Sequence, residues 1–211
     1  MAHSADAAAA IARLDALTRR LRVECPWDRE QDARTIVPHT VEEAYELADA
    51  ANAGDDAKLL DELGDVLFQV HFLALLLEER GAGSLAQVAE HVHTKLVRRH
   101  PHVFSDTEVA DAGEVLANWD EIKKGESGRA PGIFGEVPEN LPGPLYARKV
   151  QRRAKTSGLA TTPEPVVEAA RALDLVDPQE RDAAFAATGD ALFAAVDAAR
   201  RLGVDPELAL R

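Results

Sequence analysis

Cysteine is almost missing from this chain. Cys25 is the only one in 211 residues, which excludes a disulfide framework and fits a reducing cytoplasm. As a lone thiol before Pro26 it reads as a packing residue rather than a nucleophile. Long apolar runs are missing too. The longest, Val66 to Leu77, is interrupted by Gln69 and His71, so no membrane-spanning segment is predicted. The N-terminus lacks the basic start and apolar stretch of a signal peptide. There is no excess of positive charge: the net charge of −13 argues against nucleic-acid and anionic-membrane surfaces. Small anionic substrates remain open where a metal or local Lys and Arg offset the field. Aromatics are few, at 5%, and alanine is abundant. With 46% hydrophobic and 29% charged residues, the chain is predicted to be a soluble globular protein of one domain or one and a half.

What the chain does have is an acidic pattern. Glu42-Glu43-Ala44-Tyr45-Glu46 is followed, after a turn, by Asp61-Glu62-Leu63-Gly64-Asp65. Thr40 is expected to cap the first helix with Glu43 as its capping-box partner, and Asn52-Ala53-Gly54-Asp55 supplies a stop and a new start. This predicts an antiparallel helical hairpin. Counted from Gly54, Glu46 and Glu62 lie level across it, as do Glu43 and Asp65. On each helix the two acids are spaced i,i+3, and packed helices lie roughly 8–10 Å apart, so both pairs can reach one cation.

Helical carboxylates are often only a solvated face. Here, however, the stripe Glu62, Asp65, Gln69 runs on into apolar Phe72 and Leu76, and Leu59, Leu60, Leu63, Val66, Leu67 and Val70 make the other side apolar as well. A helix apolar on nearly all sides is expected to be buried, with its acids inside. Two carboxylates about 4 Å apart repel by about 4 kcal/mol at an effective dielectric of about 20. Buried charges of this kind need a partner, and a divalent cation is one that serves all four. Oxygen ligands without Cys or His favour Mg²⁺ or Mn²⁺ over zinc. Because Mg²⁺ usually keeps waters and takes substrate phosphate oxygens, the cluster points to phosphate chemistry.

Around the hairpin, Ala5 to Val23 is predicted as an amphipathic helix carrying Ile11, Leu14, Leu17 and Leu21. It ends at a turn, Cys25-Pro26-Trp27-Asp28, where Trp27 is either a core anchor, the reading its residue type favours, or a platform for a base. The hairpin stops near Arg80 at Gly81-Ala82-Gly83, and Ser84 with Gln87 opens another helix. Near the end of that helix Lys95 and Arg99 share a face, either favouring its C-terminus or clamping phosphate oxygens. Glu90-x-x-His93 is half of a di-iron signature, but it occurs once, and two copies are required. His100 and His102 flank Pro101 and are expected to cap or pack. A short helix over Ala112 to Lys124 places Trp119 and Lys123 on one face, to hold a base and a phosphate or to form a rim.

Ser127 to Pro144 is rich in Gly and Pro and reads as a linker. Beyond it come a basic helix, Leu145 to Lys155, and an alanine-rich helical stretch from Pro163. Gly189-Asp190-Ala191-Leu192-Phe193 echoes Gly64-Asp65-Val66-Leu67-Phe68, with Ala187 in the place of Glu62. The expected organisation is residues 1–126 as a catalytic domain, 127–144 as a linker and 145–211 as a degenerate, truncated second unit without a metal site.

Five motifs in order resemble the MazG-type nucleoside triphosphate pyrophosphohydrolases, all-α enzymes related to dimeric dUTPases and phosphoribosyl-ATP pyrophosphatase. They are Cys25-Pro26-Trp27-Asp28, the Glu-Glu-x-x-Glu of 42–46, Glu62-Leu63-Gly64-Asp65-Val66-Leu67-Phe68, Lys95 through Phe104, and Trp119-x-x-x-Lys123. The likeness covers roughly residues 5 to 125. It implies an all-α bundle around the acidic hairpin. It also implies a Mg²⁺-dependent reaction, for which Mn²⁺ can substitute, in which a (deoxy)nucleoside triphosphate and water give the monophosphate and pyrophosphate. On the matching positions Glu43, Glu46, Glu62 and Asp65 would hold metal, and Glu42, beside Glu43, would position or deprotonate water. Lys95, Arg99 and Lys123 would bind the triphosphate, with Trp119, and Trp27 in its platform reading, at the base.

A thin hairpin core and the resemblance together predict a homodimer. Two other readings stay open: a non-catalytic helical module that keeps the metal cluster as structure, and a phosphoribosyl-ATP pyrophosphatase, against which Trp119 and Lys123 count. The preferred base, a canonical or damaged nucleotide, an alarmone, or a link to a toxin system are all left open by the sequence.

Overall fold

The computed structural model describes residues 2–126, 132, 134, 137–159 and 165–211. All regular structure among them is helical: α1 (Ala2–Glu24), α2 (Pro26–Glu30), α3 (Ala33–Ala53), α4 (Asp56–Glu79), α5 (Leu85–Arg99), α6 (Pro101–Phe104), α7 (Ala112–Lys124), α8 (Gly143–Thr156), α9 (Val166–Asp174), α10 (Arg181–Arg201) and α11 (Pro206–Leu210). The all-α expectation is met. The chain divides into two compact units, Met1–Arg98 and Arg99–Arg211. Among the described residues no helix is long and apolar enough to cross a membrane.

In the first unit α3 and α4 form the antiparallel hairpin. Its start differs from the expectation at Thr40. Asp32 is the cap: its Oδ1 accepts from the amides of Arg34 (2.7 Å) and Thr35 (2.9 Å), while its own amide donates to Thr35 Oγ1 (2.8 Å). This reciprocal pair satisfies amides that lack helical partners and begins the helix eight residues before Thr40. Thr40 is therefore interior, and its hydroxyl donates to Ile36 O (3.4 Å) and bonds Gln69 Oε1 (3.3 Å). The turn falls where Gly54 was expected to place it. Gly54 has φ 68°, a left-handed conformation that side chains resist, and Asp55 Oδ1 then accepts from Ala57 N and Lys58 N to start α4.

The hairpin is held by a small core of Ile36, Phe72 and Leu76, with Ala33, Phe68 and Leu73 against it. Onto this α1 is fastened by two arginines. Arg19 donates from Nη1 and Nη2 to the two oxygens of Glu78 (2.9 and 2.7 Å), and Arg22 from Nε and Nη2 to the two oxygens of Glu79 (2.8 and 2.9 Å). Arg22 Nη1 also donates to the carbonyls of Asp28, Arg29 and Gln31. Those carbonyls lie at and beyond the end of α2, where helical partners run out and a cation is favoured. The stretch read as a turn at Cys25–Asp28 is thus the N-cap and first residues of the short helix α2. Trp27 on it is 51% exposed, so the core reading is corrected; its ring meets that of His39 edge to face, with centroids 5.8 Å apart.

α4 is buried along Glu62, Gln69, Phe72 and Leu76, but Leu60, Leu63, Leu67 and Val70, at i,i+3,i+7,i+10, are exposed. The expectation of a helix covered on nearly all sides fails within one chain, because α3 and α1 pack on the opposite stripe. α5 likewise buries none of its residues.

The second unit is built on small side chains. Ala154 of α8, Ala169 of α9 and Ala194 of α10 are each buried, which allows close helix approach, and α10 contacts both α8 and α9. Gln151 Nε2 donates to Phe193 O (2.7 Å), tying α8 to α10. Asp205 caps α11 through Oδ1 and pairs Arg148 through Oδ2. α8 begins at Gly143, two residues before the expected Leu145. Of the expected linker, residues 127–131, 133, 135 and 136 lie outside the described residues, as does Pro163.

Replacing Arg22 by Met is expected to cost on the order of 2 kcal/mol, because it strands a carboxylate and three carbonyls. Arg19→Met is expected to cost less than about 1 kcal/mol, as its pair is exposed. Urea denaturation of the two variants checks this, and equal losses would deny the carbonyl contacts any weight.

Candidate metal centre

The hairpin brings three carboxylates together. One oxygen each from Glu43, Glu62 and Asp65 lie within 4.8 Å of one another, with Glu62 buried, Glu43 half-buried and Asp65 exposed. Glu43 comes from α3, and the other two from α4, one turn apart. This is the only such group among the described residues.

The charges are felt. Burial holds the Glu43 carboxyl above its ordinary value, with Asp65, Glu46, Glu62 and Glu42 adding to the shift. Burial also raises Glu62, and Glu46, Asp65 and Asp61 raise it further, against Lys58 alone. Lys58 Nζ is 3.9 Å from Glu62 Oε1 and half-exposed, one turn before it on α4. Residue spacing would have found it, since Lys58 and Glu62 are i,i+4. A buried carboxylate whose cation is this distant, flanked by two more acids, fits a divalent ion held by hard oxygen donors.

The remaining predicted residues fall differently. Glu46 is exposed and stands outside the group of three, although it raises the pKa of Glu62. Glu42 is exposed, 3.7 Å from His39 Nδ1. Lys95 is half-buried near the end of α5. In the second unit Arg99 makes two bonds to Glu126, at 3.0 and 2.6 Å. That partner is 27 residues away, and no local signal reveals it. Lys123 Nζ lies 4.9 Å from the centre of the Trp119 ring, a cation–π contact, and His100 packs on Trp119 at 5.2 Å with His102 beyond it at 5.6 Å. The two histidines therefore pack, one of the two roles expected for them. Glu90 and His93 are an exposed pair 3.8 Å apart.

A family model, the MazG nucleotide pyrophosphohydrolase domain, matches residues 31–104, the segment that carries all three carboxylates. The chain is 39% identical to the nucleoside triphosphate pyrophosphohydrolase of Escherichia coli K12, over 95% of this chain and 81% of that protein. It is 38% identical to the nucleoside triphosphate pyrophosphohydrolase/pyrophosphatase MazG of Thermotoga maritima, over 89% of this chain and 73% of that protein. A crystal structure of a mazG-related protein from Thermotoga maritima aligns with TM-score 0.47 and 26% identity, over 54% of this chain and 98% of that one. The chain belongs to the MazG nucleoside triphosphate pyrophosphohydrolase family.

Raised carboxylate pKa values mean that the folded state binds more protons than the unfolded one. Without metal, stability is therefore expected to fall as pH rises from the ordinary value of 4.5 through the raised values of Glu43 and Glu62. Glu62→Gln should flatten that fall. At about 100 times its Kd, Mg²⁺ should add about 2.7 kcal/mol near neutral pH and less as protons compete. Melting curves with and without Mg²⁺ from pH 5 to 8 check both, and a pH slope unchanged in the variant would refute the assignment.

Proposed function

We propose that this protein hydrolyses nucleoside triphosphates to the monophosphate and pyrophosphate, with Mg²⁺, or Mn²⁺ in its place, held by Glu43, Glu62 and Asp65 and completed by Glu46. The observation that carries this is the convergence of three carboxylates inside the family-matched segment. A bound divalent ion supplies polarisation of a phosphoryl oxygen and acidification of water. The protein's part is placement. Glu42 accepts the proton of the attacking water, and Glu43 assists while it holds metal. Water adds to the α-phosphorus, the bond to the bridging oxygen breaks, and pyrophosphate leaves with the electron pair. Lys95, Arg99 and Lys123 bind the triphosphate, and Trp119 and Trp27 hold the base, with Trp27's exposure leaving a ring face for stacking.

We also infer a homodimer. Leu60, Leu63, Leu67 and Val70 form one exposed apolar stripe on α4, and α5 leaves Val88, Val92 and Leu96 exposed at i,i+4,i+8. A second hairpin would cover such a stripe and turn α4 into a helix enclosed on every side. Residues 1–126 are proposed as the catalytic region, with 127–144 a linker and 145–211 a degenerate second unit.

The decisive assay is pyrophosphate release from the standard ribo- and deoxyribonucleoside triphosphates with Mg²⁺. Glu62→Ala is expected to lower kcat by about a hundredfold or more with its circular dichroism unchanged. Mg²⁺-dependent melting without turnover on any substrate would instead support a structural metal module. Sedimentation at micromolar concentration should give a dimer for the native chain and a monomer for Leu63→Asp with Leu67→Asp. A native monomer would remove the dimer.

A further inference from the structure

Along the hairpin the acids give way to one polar, uncharged level before the apolar core begins. Glu43 of α3 comes together with Asp65 of α4, and further along Ile36 meets Phe72. Between these levels lie Thr40 and Gln69, whose side chains touch: Thr40 Oγ1 is 3.3 Å from Gln69 Oε1. Gln69 is 7% exposed. It follows Asp65 at i,i+4 and Glu62 at i,i+7, so it shares their face of α4.

This contact does not satisfy Gln69. Thr40 has one hydroxyl proton for two acceptors, Gln69 Oε1 and Ile36 O, and both lie beyond the usual hydroxyl distance, at 3.3 and 3.4 Å. The other end of the amide, Nε2, makes no hydrogen bond with any described residue, yet it is not one of the fully enclosed polar atoms. It therefore still reaches solvent. An amide turned end for end would offer Nε2 to Thr40 and leave Oε1 spare. In either orientation one polar atom of a buried side chain waits for a partner. A hydroxyl group, which donates and accepts, serves both orientations, whereas a phosphate oxygen only accepts.

The platform for a base sets the direction in which a nucleotide runs. Trp27 meets the ring of His39, the chain neighbour of Thr40, so it lies beyond Glu43 on the side away from Gly54. His39 and Glu43 are one helical turn apart, roughly 6 Å along α3. That is the span of a pentose between its phosphate and its base. We propose that Gln69, held by Thr40, determines sugar specificity by bonding a pentose hydroxyl of the nucleotide. This rests on the hydrolytic reading above, with metal at the acids and the base at Trp27. A neutral pair matches the one uncharged, hydroxyl-bearing part of such a substrate. A site of this kind rejects an analogue without the hydroxyl, because its own buried amide is then left unpaired.

The test compares ATP, 2′-deoxy-ATP and 2′,3′-dideoxy-ATP as substrates of the full chain with Mg²⁺. Removing the recognised hydroxyl is expected to lower kcat/KM about tenfold or more, chiefly through KM. A loss already present with 2′-deoxy-ATP assigns the 2′-hydroxyl, and a loss that appears only with 2′,3′-dideoxy-ATP assigns the 3′-hydroxyl. In Gln69→Met, which keeps the length of the side chain and removes its amide, the three nucleotides should become alike to within about twofold. Thr40→Val, which removes the hydroxyl that holds Gln69, should narrow the difference and gives the reading if Gln69→Met does not fold. A Thr40–Gln69 contact that only joins α3 to α4 would instead slow all three nucleotides by one factor. That result, equal kcat/KM on all three in the native chain, or a difference that survives both substitutions would overturn the proposal. If the native chain turns over none of them, the same comparison is read as Kd by calorimetric titration with Mg²⁺. Discrimination in Kd that Gln69→Met abolishes would uphold the pentose contact while the hydrolytic reading falls, and no binding of any of the three would remove both.

Discussion

Three carboxylates within 4.8 Å of one another repel, and the hairpin exists in spite of that repulsion. What opposes it is apolar: Ile36 and Phe72, buried almost completely, pull α3 onto α4, and Leu76 extends the contact. The left-handed Gly54 and the Asp55 cap keep the two helices in the register that makes the acids level. Arg19 and Arg22 then press α1 onto the end of α4 through Glu78 and Glu79. The core energy is therefore spent on holding like charges together, and a cation bound there relieves the strain and stabilises the fold at once.

Two of the three cations proposed for the triphosphate are already engaged within the chain. Arg99 is paired to Glu126, and Lys123 rests over Trp119. In the proposed reaction an arriving phosphate exchanges these partners for its own oxygens. Part of each new interaction offsets the one given up, which favours discrimination between anions over raw affinity. Burial of Glu62 beside Lys58 follows the same principle, with a distant, half-exposed cation that a divalent ion would outcompete in the proposed site.

The second unit has gone the other way. Among the described residues of the second unit, α10 carries Asp182, Asp190 and Asp197 but no cluster of three acids, and α8 carries five cations and no acid. The chain thus separates its charges by element, acids on the hairpin and bases on α8, against a strongly negative whole.

Much of this was written in local spacing. The i,i+3 acids and the pivot at Gly54 follow from helix geometry, and the motifs from Trp27 to Lys123 pointed to the family to which the chain belongs. Local rules also misled where two positions satisfied the same rule. Thr40 with Glu43 matches the capping pattern as well as Asp32 with Thr35 does, and only the folded chain shows which hydroxyl and carboxylate meet free amides. Trp27 has a core residue's chemistry and lies exposed. The sequence by itself determined the acidic hairpin and which of its side chains share a face, because both depend on a repeat within one element. Which face is covered, and which three oxygens converge while Glu46 stays outside, was decided only by how separate helices cross, a long-range contact that no local period encodes.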